Sequence, residues 1–246
     1  MDPDQKNRNG QRAGVGADLG VCPIPPDRKY WNAQQQVLQR LLTEDKDHPR
    51  AIELFLSQHA VLHAAEMAQT GLPSFEDEIW QDLTEQAARH IPKRGEHSIA
   101  WIFWHLTRIE DVTMNLLVAG SPQLFEKDGW LPRLGVADKD TGNAMNEHRI
   151  ADLSTLINLP ALRAYRLAVG RRTREIVQAL HPEDLKKKVD PLRLQRVIEE
   201  GAVEEAALGL IEYWGGRTIA GLLLMPPTRH NFVHLNEALR LKQKYH

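Results

Sequence analysis

The segment Ala100-Trp-Ile-Phe-Trp-His-Leu-Thr-Arg-Ile-Glu-Asp111 has the period of a buried helix. Ile102, Leu106 and Ile109 lie at i−3, i+1 and i+4 from His105, so the histidine falls on the apolar stripe. An imidazole there costs desolvation unless both ring nitrogens find partners. Downstream, Thr228-Arg-His-Asn-Phe-Val-His234 places His230 and His234 at i, i+4, one turn apart on one helix face. If the two helices pack together, three neutral imidazoles converge inside a bundle. Three protein ligands with an open fourth position is the arrangement of a catalytic zinc-type centre. Each part also has a plainer reading: a core histidine bonded to a carbonyl, and two exposed or capping histidines near a helix start.

A second pair competes with the first. In Phe55-Leu-Ser-Gln-His-Ala-Val-Leu-His63, His59 and His63 are also at i, i+4, and the stripe Ile52, Phe55, Leu56 continues through them to Glu66. They can serve as outer groups orienting the ligands, as acid–base groups, or as alternative ligands. Spacing alone does not rank the two pairs. Trp101, Trp104, Arg108 and Asp111 share another face of the His105 helix. Arg108 is a candidate for holding an anionic group, and Glu110 a candidate base. Asp111 reads as half of an ordinary surface ion pair.

The rest of the helical pattern surrounds these segments. Helices are expected from Tyr30 to about Thr43, from Pro49 to about Gln69, and from Glu76 to His90. The His105 helix should span Ser98 to Ala119 and stop at Gly120-Ser-Pro122. Residues 121–159, rich in Pro and Gly, read as an irregular insertion with short helical pieces. Pro160 opens a helix to about Leu180. Residues 183–200 form a second, charged insertion with a short helix around Leu192 to Glu199. A long helix is expected from Ala202 to Leu224, with Gly215-Gly216 marking a kink or close packing. Pro226-Pro227 then reads as a break, Thr228 as an N-cap, and the last helix runs to about Lys244. No strand alternation and no repeat appears, so the fold is all-α: a four-helix bundle with additional helices and an irregular insertion.

Composition narrows the function classes. The 246 residues are 42% hydrophobic and 26% charged, with net charge −2 and pI near 6.6, which gives no drive toward nucleic acid or an anionic membrane. The basic runs Arg171-Arg172-Thr-Arg174 and Lys186-Lys-Lys188 are balanced by nearby acids and read as solvated faces. No signal-peptide core or membrane-length apolar run is present, and a cytoplasmic location is expected. Cys22 is the single cysteine, so no internal disulfide forms and a Cys-rich zinc module is excluded. Residues 1–27 read as a flexible or surface-draped tail ahead of one domain at 28–246. Deleting Met1 to about Pro25 should therefore leave the thermal midpoint nearly unchanged, which a melting curve of the truncated chain checks.

Taken together, Ile99-Ala-Trp-Ile-Phe-Trp-His-Leu-Thr-Arg-Ile-Glu-Asp111 and the closing Arg217-Thr-Ile-Ala-Gly-Leu-Leu-Leu-Met-Pro-Pro-Thr-Arg-His-Asn-Phe-Val-His-Leu-Asn-Glu-Ala-Leu239 resemble the DinB-like superfamily, in a bacterial branch of it. The resemblance implies a four-helix bundle that binds a divalent metal, often zinc or nickel, through three histidines. Carried over residue by residue, the implied ligands are His105, His230 and His234, which ranks them above His59 and His63. It also implies either a thiol-dependent S-transferase, using a low-molecular-weight thiol, or a metal-dependent hydrolase. His63 and Arg108 are then the expected polar helpers. The partners expected are a small-molecule substrate and, for assembly, a second copy in a homodimer, with no nucleic acid and no membrane. The reading from another class is a non-catalytic metal-binding or structural bundle, one with a stress-related role.

Overall fold

The computed structural model describes residues 28–44, 47–69, 71, 74–93 and 95–245; the expected tail lies outside the described residues. Helix α1, Arg28–Glu44, buries Trp31, Gln35, Leu38 and Leu42, one residue per turn; it packs along α2, His48–Leu62, while Trp31 stacks on Phe232 at 3.9 Å and Gln35 bonds Thr228. Asp47 caps α2 by accepting from the Arg50 amide at 3.2 Å, and Pro49 fills the first turn, where its missing N–H is not needed.

The expected run to Gln69 is interrupted. His63 is extended (φ −115°, ψ 161°), and a separate turn follows at Ala65–Ala68. Tertiary partners outcompete the helical ladder here. The amides of Ala64 and Ala65 donate to the carboxylates of Glu76 (3.2 Å) and Asp77 (2.9 Å), and the Leu62 carbonyl accepts from Arg166 at 3.0 Å. The expected helix at 76–90 is likewise two, Phe75–Trp80 and Glu85–Arg89. Ser74 and Thr84 cap them, with Asp82 at φ 56° between.

Helix α3, Ile99–Asp111, carries His105 and is buried along its whole length. Ser98 caps it, accepting from the Trp101 amide at 3.0 Å. It continues as a wider π-helical stretch, Val112–Ala119, and ends at Gly120. Gly120 is required twice over: its φ is +68°, and a Cβ would stand 2.8 Å from the Arg193 guanidinium. That guanidinium donates to the carbonyls of Leu117 (2.9 Å) and Val118 (2.7 Å), closing the helix end. The 121–159 segment is irregular as expected, with helices at Leu124–Lys127, Trp130–Leu134 and Glu147–Leu156. Helix α4, Leu159–Gln178, follows, capped by Asn158.

The long helix expected from Ala202 to Leu224 does not form. A 3₁₀ turn at Glu205–Ala207 and helices at Gly209–Gly215 and Ile219–Leu223 replace it. The break at 216–218 pairs with 187–189: the Ile219 amide donates to the Lys187 carbonyl (2.9 Å) and the Val189 amide to the Arg217 carbonyl (3.3 Å). Gly215 marks close packing instead of a kink, since a Cβ there would lie 2.9 Å from Leu194 Cδ1.

Pro226-Pro227 does not break the chain, and Thr228 is no N-cap. A π-helical stretch, Met225–His230, runs directly into the last helix, α5, Asn231–Tyr245. Two prolines remove two amide donors, and side chains add bonds to carbonyls along the stretch. Thr228 Oγ1 donates to Leu223 O (2.9 Å), Gln35 to Leu224 O (3.0 Å), and Asn231 Nδ2 to Pro226 O (3.0 Å).

Helix α3 packs on α4 and α5, and both of these also touch α2, which closes a four-helix bundle with α1 applied outside α2. The elements outside it are the additional helices, and among the described residues no strand forms. Two apolar clusters fill the interior, one around Trp31, Trp104, Tyr165 and Phe232, the other around Phe55, Met114, Val177 and Trp214. Along α2, α3 and α4 a polar residue (His59, Glu110, Thr173) falls between members of the two clusters, so a polar layer crosses the bundle. No described helix is long and apolar enough to cross a membrane.

Candidate metal centre

His105 projects from the middle of α3, and His230 and His234 from the junction of the π-helical stretch with α5. One ring nitrogen of each lies within 4.8 Å of those of the other two. The Nε2 atoms of His105 and His230 are 3.1 Å apart, and the ring centroids of His105 and His234 are 5.3 Å apart. Two ligand atoms on a tetrahedral ion at ~2.0–2.1 Å are about 3.4 Å apart, so the spacing suits one cation.

Hydrogen bonding fixes which nitrogens are available. A carbonyl only accepts, so His105 Nδ1 donates to Thr141 O at 2.6 Å. Burial pushes the His105 pKa down to about 3, keeping the ring neutral and Nε2 a lone pair. His234 Nδ1 donates in the same way to the Glu237 carboxylate at 2.9 Å, leaving its Nε2 as the acceptor in the neutral ring. Burial, then the neighbouring imidazoles, hold His230 well below its ordinary range. Each of the outer two rings thus has one N–H tied to an oxygen and one lone pair turned inward, the pattern of metal-ligating histidines held by outer groups. His105 is 3% exposed, whereas His230 and His234 are only partly buried, so the cluster opens on the α5 side.

Some partners of this site carry no periodic signal. Thr141 lies in the irregular 121–159 segment, where spacing says nothing about contacts. Glu237 is three residues beyond His234 on the same helix, which makes it legible as a neighbour. Trp101 stacks on both His97 (3.8 Å) and His105 (4.8 Å), walling one side.

His59 and His63 do not join this cluster. Their Nε2 atoms contact the two oxygens of Glu110 at 2.9 and 3.1 Å, and all three side chains are buried. Burial alone would raise the Glu110 pKa; its close contacts with His63 and His59, hydrogen bonds from both rings among them, overcome it and hold the carboxyl well below its usual range. Burial also pushes His63 down to about 3. His63 packs against Gly170 of α4, where a Cβ would come within 2.7 Å of its Nδ1 and 2.9 Å of Met67 Cγ. Gly170→Ala is therefore expected to lower stability by about 1–3 kcal/mol through overpacking, read from urea unfolding.

Arg108, the candidate for holding an anionic group, has its donors engaged elsewhere. It is buried, and its five N–H groups meet Lys139 O (2.6 and 3.1 Å), Gln123 (2.7 Å), Tyr165 (2.9 Å) and Asp111 (3.5 Å). Nothing is left to donate toward the histidine cluster. Asp111 is no surface residue either: it is fully buried and accepts from the amides of Leu124 (3.0 Å) and Phe125 (2.9 Å), from Asn115 (2.7 Å) and from Tyr165 (2.5 Å). The pair ties α3 to the insertion and to α4. The basic runs are paired as well, with Arg172 on Glu175 and Lys187 on Asp184.

An all-α bundle with a cluster of three histidines and a separate His/Glu cluster has two groups of side chains spaced to suit a divalent metal. The family model of the DinB superfamily matches residues 77–212, more than half of the chain, and the chain belongs to that superfamily. The matched part contains His105 and Glu110 and ends before His230 and His234. No curated protein matches the chain.

Proposed function

We propose that His105, His230 and His234 hold one divalent cation, zinc or nickel, and that the protein is a metal-dependent enzyme acting on a small molecule with a nucleophile from outside the chain. Membership of the DinB superfamily supports metal-dependent chemistry. The observation that carries the ligand assignment is the pair of tautomers imposed by Thr141 and Glu237, which turn two lone pairs toward the His230 ring. When bound there, a divalent cation supplies Lewis-acid activation of a small nucleophile at neutral pH. The chain's own part is to hold three imidazoles together, to exclude water on the Trp101 side, and to admit substrate at the partly exposed His234 edge. The nucleophile is then a low-molecular-weight thiol, giving S-transfer, or water, giving hydrolysis.

The external nucleophile is argued from the sequence, whose single cysteine, Cys22, sits in the polar segment 1–27 and which holds no serine in a nucleophile motif. Metal analysis of protein purified without a His-tag, followed by a screen of thiol conjugation and ester or amide hydrolysis, tests the reading. Cys22→Ser is expected to leave turnover intact, while His234→Ala abolishes it together with the metal at this cluster. Loss of turnover in Cys22→Ser, or a covalent substrate adduct on Cys22, would overturn the external-nucleophile mechanism.

A further inference from the structure

We propose that His59, His63 and Glu110 form a second binding site for a divalent first-row transition cation, separate from the His105–His230–His234 cluster. The donors are two imidazoles one helical turn apart and one carboxylate, a set that suits zinc, iron and nickel. Their ligand atoms all lie within 4.8 Å of one another, and the contacts of 2.9 and 3.1 Å from Nε2 to carboxylate are near the separations of atoms sharing one ion.

Three features distinguish the cluster from an ordinary polar contact. First, Glu110 is a fully buried carboxylate whose ion-pair partners are the two imidazoles, with no Lys or Arg paired to it among the described residues. Hydrogen bonds from His59, Thr173, His63 and Asn231 hold the carboxylate, and a bound cation would add the positive charge that no Lys or Arg supplies there. Second, His59 Nδ1 and His63 Nδ1 are both buried and unpartnered. Without a cation, each ring must donate from Nε2 to Glu110, and two lone pairs stay buried with nothing to accept from. Because no group among the described residues holds Nδ1, the proton can sit there instead, and both Nε2 lone pairs become available to an ion in exchange for their hydrogen bonds to Glu110. Third, the carboxylate is itself held by outer donors, Thr173 Oγ1 at 2.7 Å and Asn231 Nδ2 at 2.9 Å. Ligating carboxylates are held in that way.

The donors come from α2, from His63 just past its end and from α3, and the outer groups from α4 and the first residue of α5, so an ion here ties together all four bundle helices. With the ligand side chains no more than 1% exposed, the site is a structural pin, closed to substrate. Asn231, which follows His230 in the chain, also links it to the first cluster.

The test uses the full chain, stripped with a chelator, reloaded with zinc chloride and desalted. Two equivalents of zinc per chain are expected by mass spectrometry of the metal, and crystals should show zinc-edge anomalous peaks at both clusters. The His105→Ala/His234→Ala variant should keep one equivalent, and His59→Gln/His63→Gln should lose one. A peak at the three-histidine cluster alone overturns this inference and leaves the proposed function standing. A peak at His59, His63 and Glu110 alone supports the second site and sinks the proposed active centre. If the glutamine variant does not fold, the anomalous map of the unsubstituted protein decides by itself.

Discussion

Asp111→Ala is expected to cost about 3–5 kcal/mol, the range for removing one partner of a buried charged network, and to leave the protein unfolded or close to it. Its carboxylate accepts from two backbone amides, an asparagine and a tyrosine hydroxyl, and lies 3.5 Å from Arg108. Truncation strands each of these donors away from water, including the start of the Leu124–Lys127 helix, whose amides find their cap on α3. It also leaves a buried guanidinium with neutral acceptors only. A total stability of 5–15 kcal/mol is typical of a domain, so a loss of this size is a large fraction of it. Urea unfolding followed by circular dichroism measures it. A shift below ~1 kcal/mol would mean that water reaches the pocket and replaces the carboxylate.

The same residue shows where sequence reading stops. Periodicity places Asp111 on a face of α3 with Trp101, Trp104 and Arg108, but it cannot tell that the insertion folds over that face and buries it. The all-α class, the bounds of α3 near Ser98 and Gly120, and α4 opening at Pro160 were legible because caps, glycines and prolines act within a few residues. The convergence of His105 with His230 and His234 was foreseen only conditionally, since spacing fixes a face and not the neighbour it meets. What failed locally did so for tertiary reasons. The run beyond Leu62 contains good helix formers, yet Glu76, Asp77 and Arg166 capture its backbone groups. Pro226-Pro227 looked like a stop, yet the π-helical widening and the side chains of Gln35, Thr228 and Asn231 carry the chain through it. The pairing of His59 and His63 with Glu110 joins α2 to α3, a contact that single-helix spacing does not contain.

Acidification should destabilise the metal-free protein steeply between pH 7 and 5, above the range in which carboxylates usually titrate. His63 and His105 are each held near pKa 3 by burial, against about 6.5 in the unfolded chain. The folded state therefore favours the neutral ring. That stability is fully present above pH ~6.5 and is lost as pH falls through the window down to about 3, because only the unfolded chain takes up protons there. Each such histidine contributes a loss of about 2 kcal/mol between pH 7 and 5. The two together remove about 4 kcal/mol, and His230, lowered by burial and its neighbouring imidazoles, adds to this in the same direction. Below about pH 4.5 the depressed Glu110 carboxyl extends the loss, whereas Glu76, raised by burial and lowered in part by Arg166, takes up its proton in the folded protein above that pH and offsets part of the loss there. Urea midpoints measured in chelator from pH 8 to 4.5 give the slope directly. An unchanged midpoint between pH 7 and 5 would mean that these rings are solvated or already charged in the folded protein, and that the interior does not hold neutral imidazoles ready for a cation.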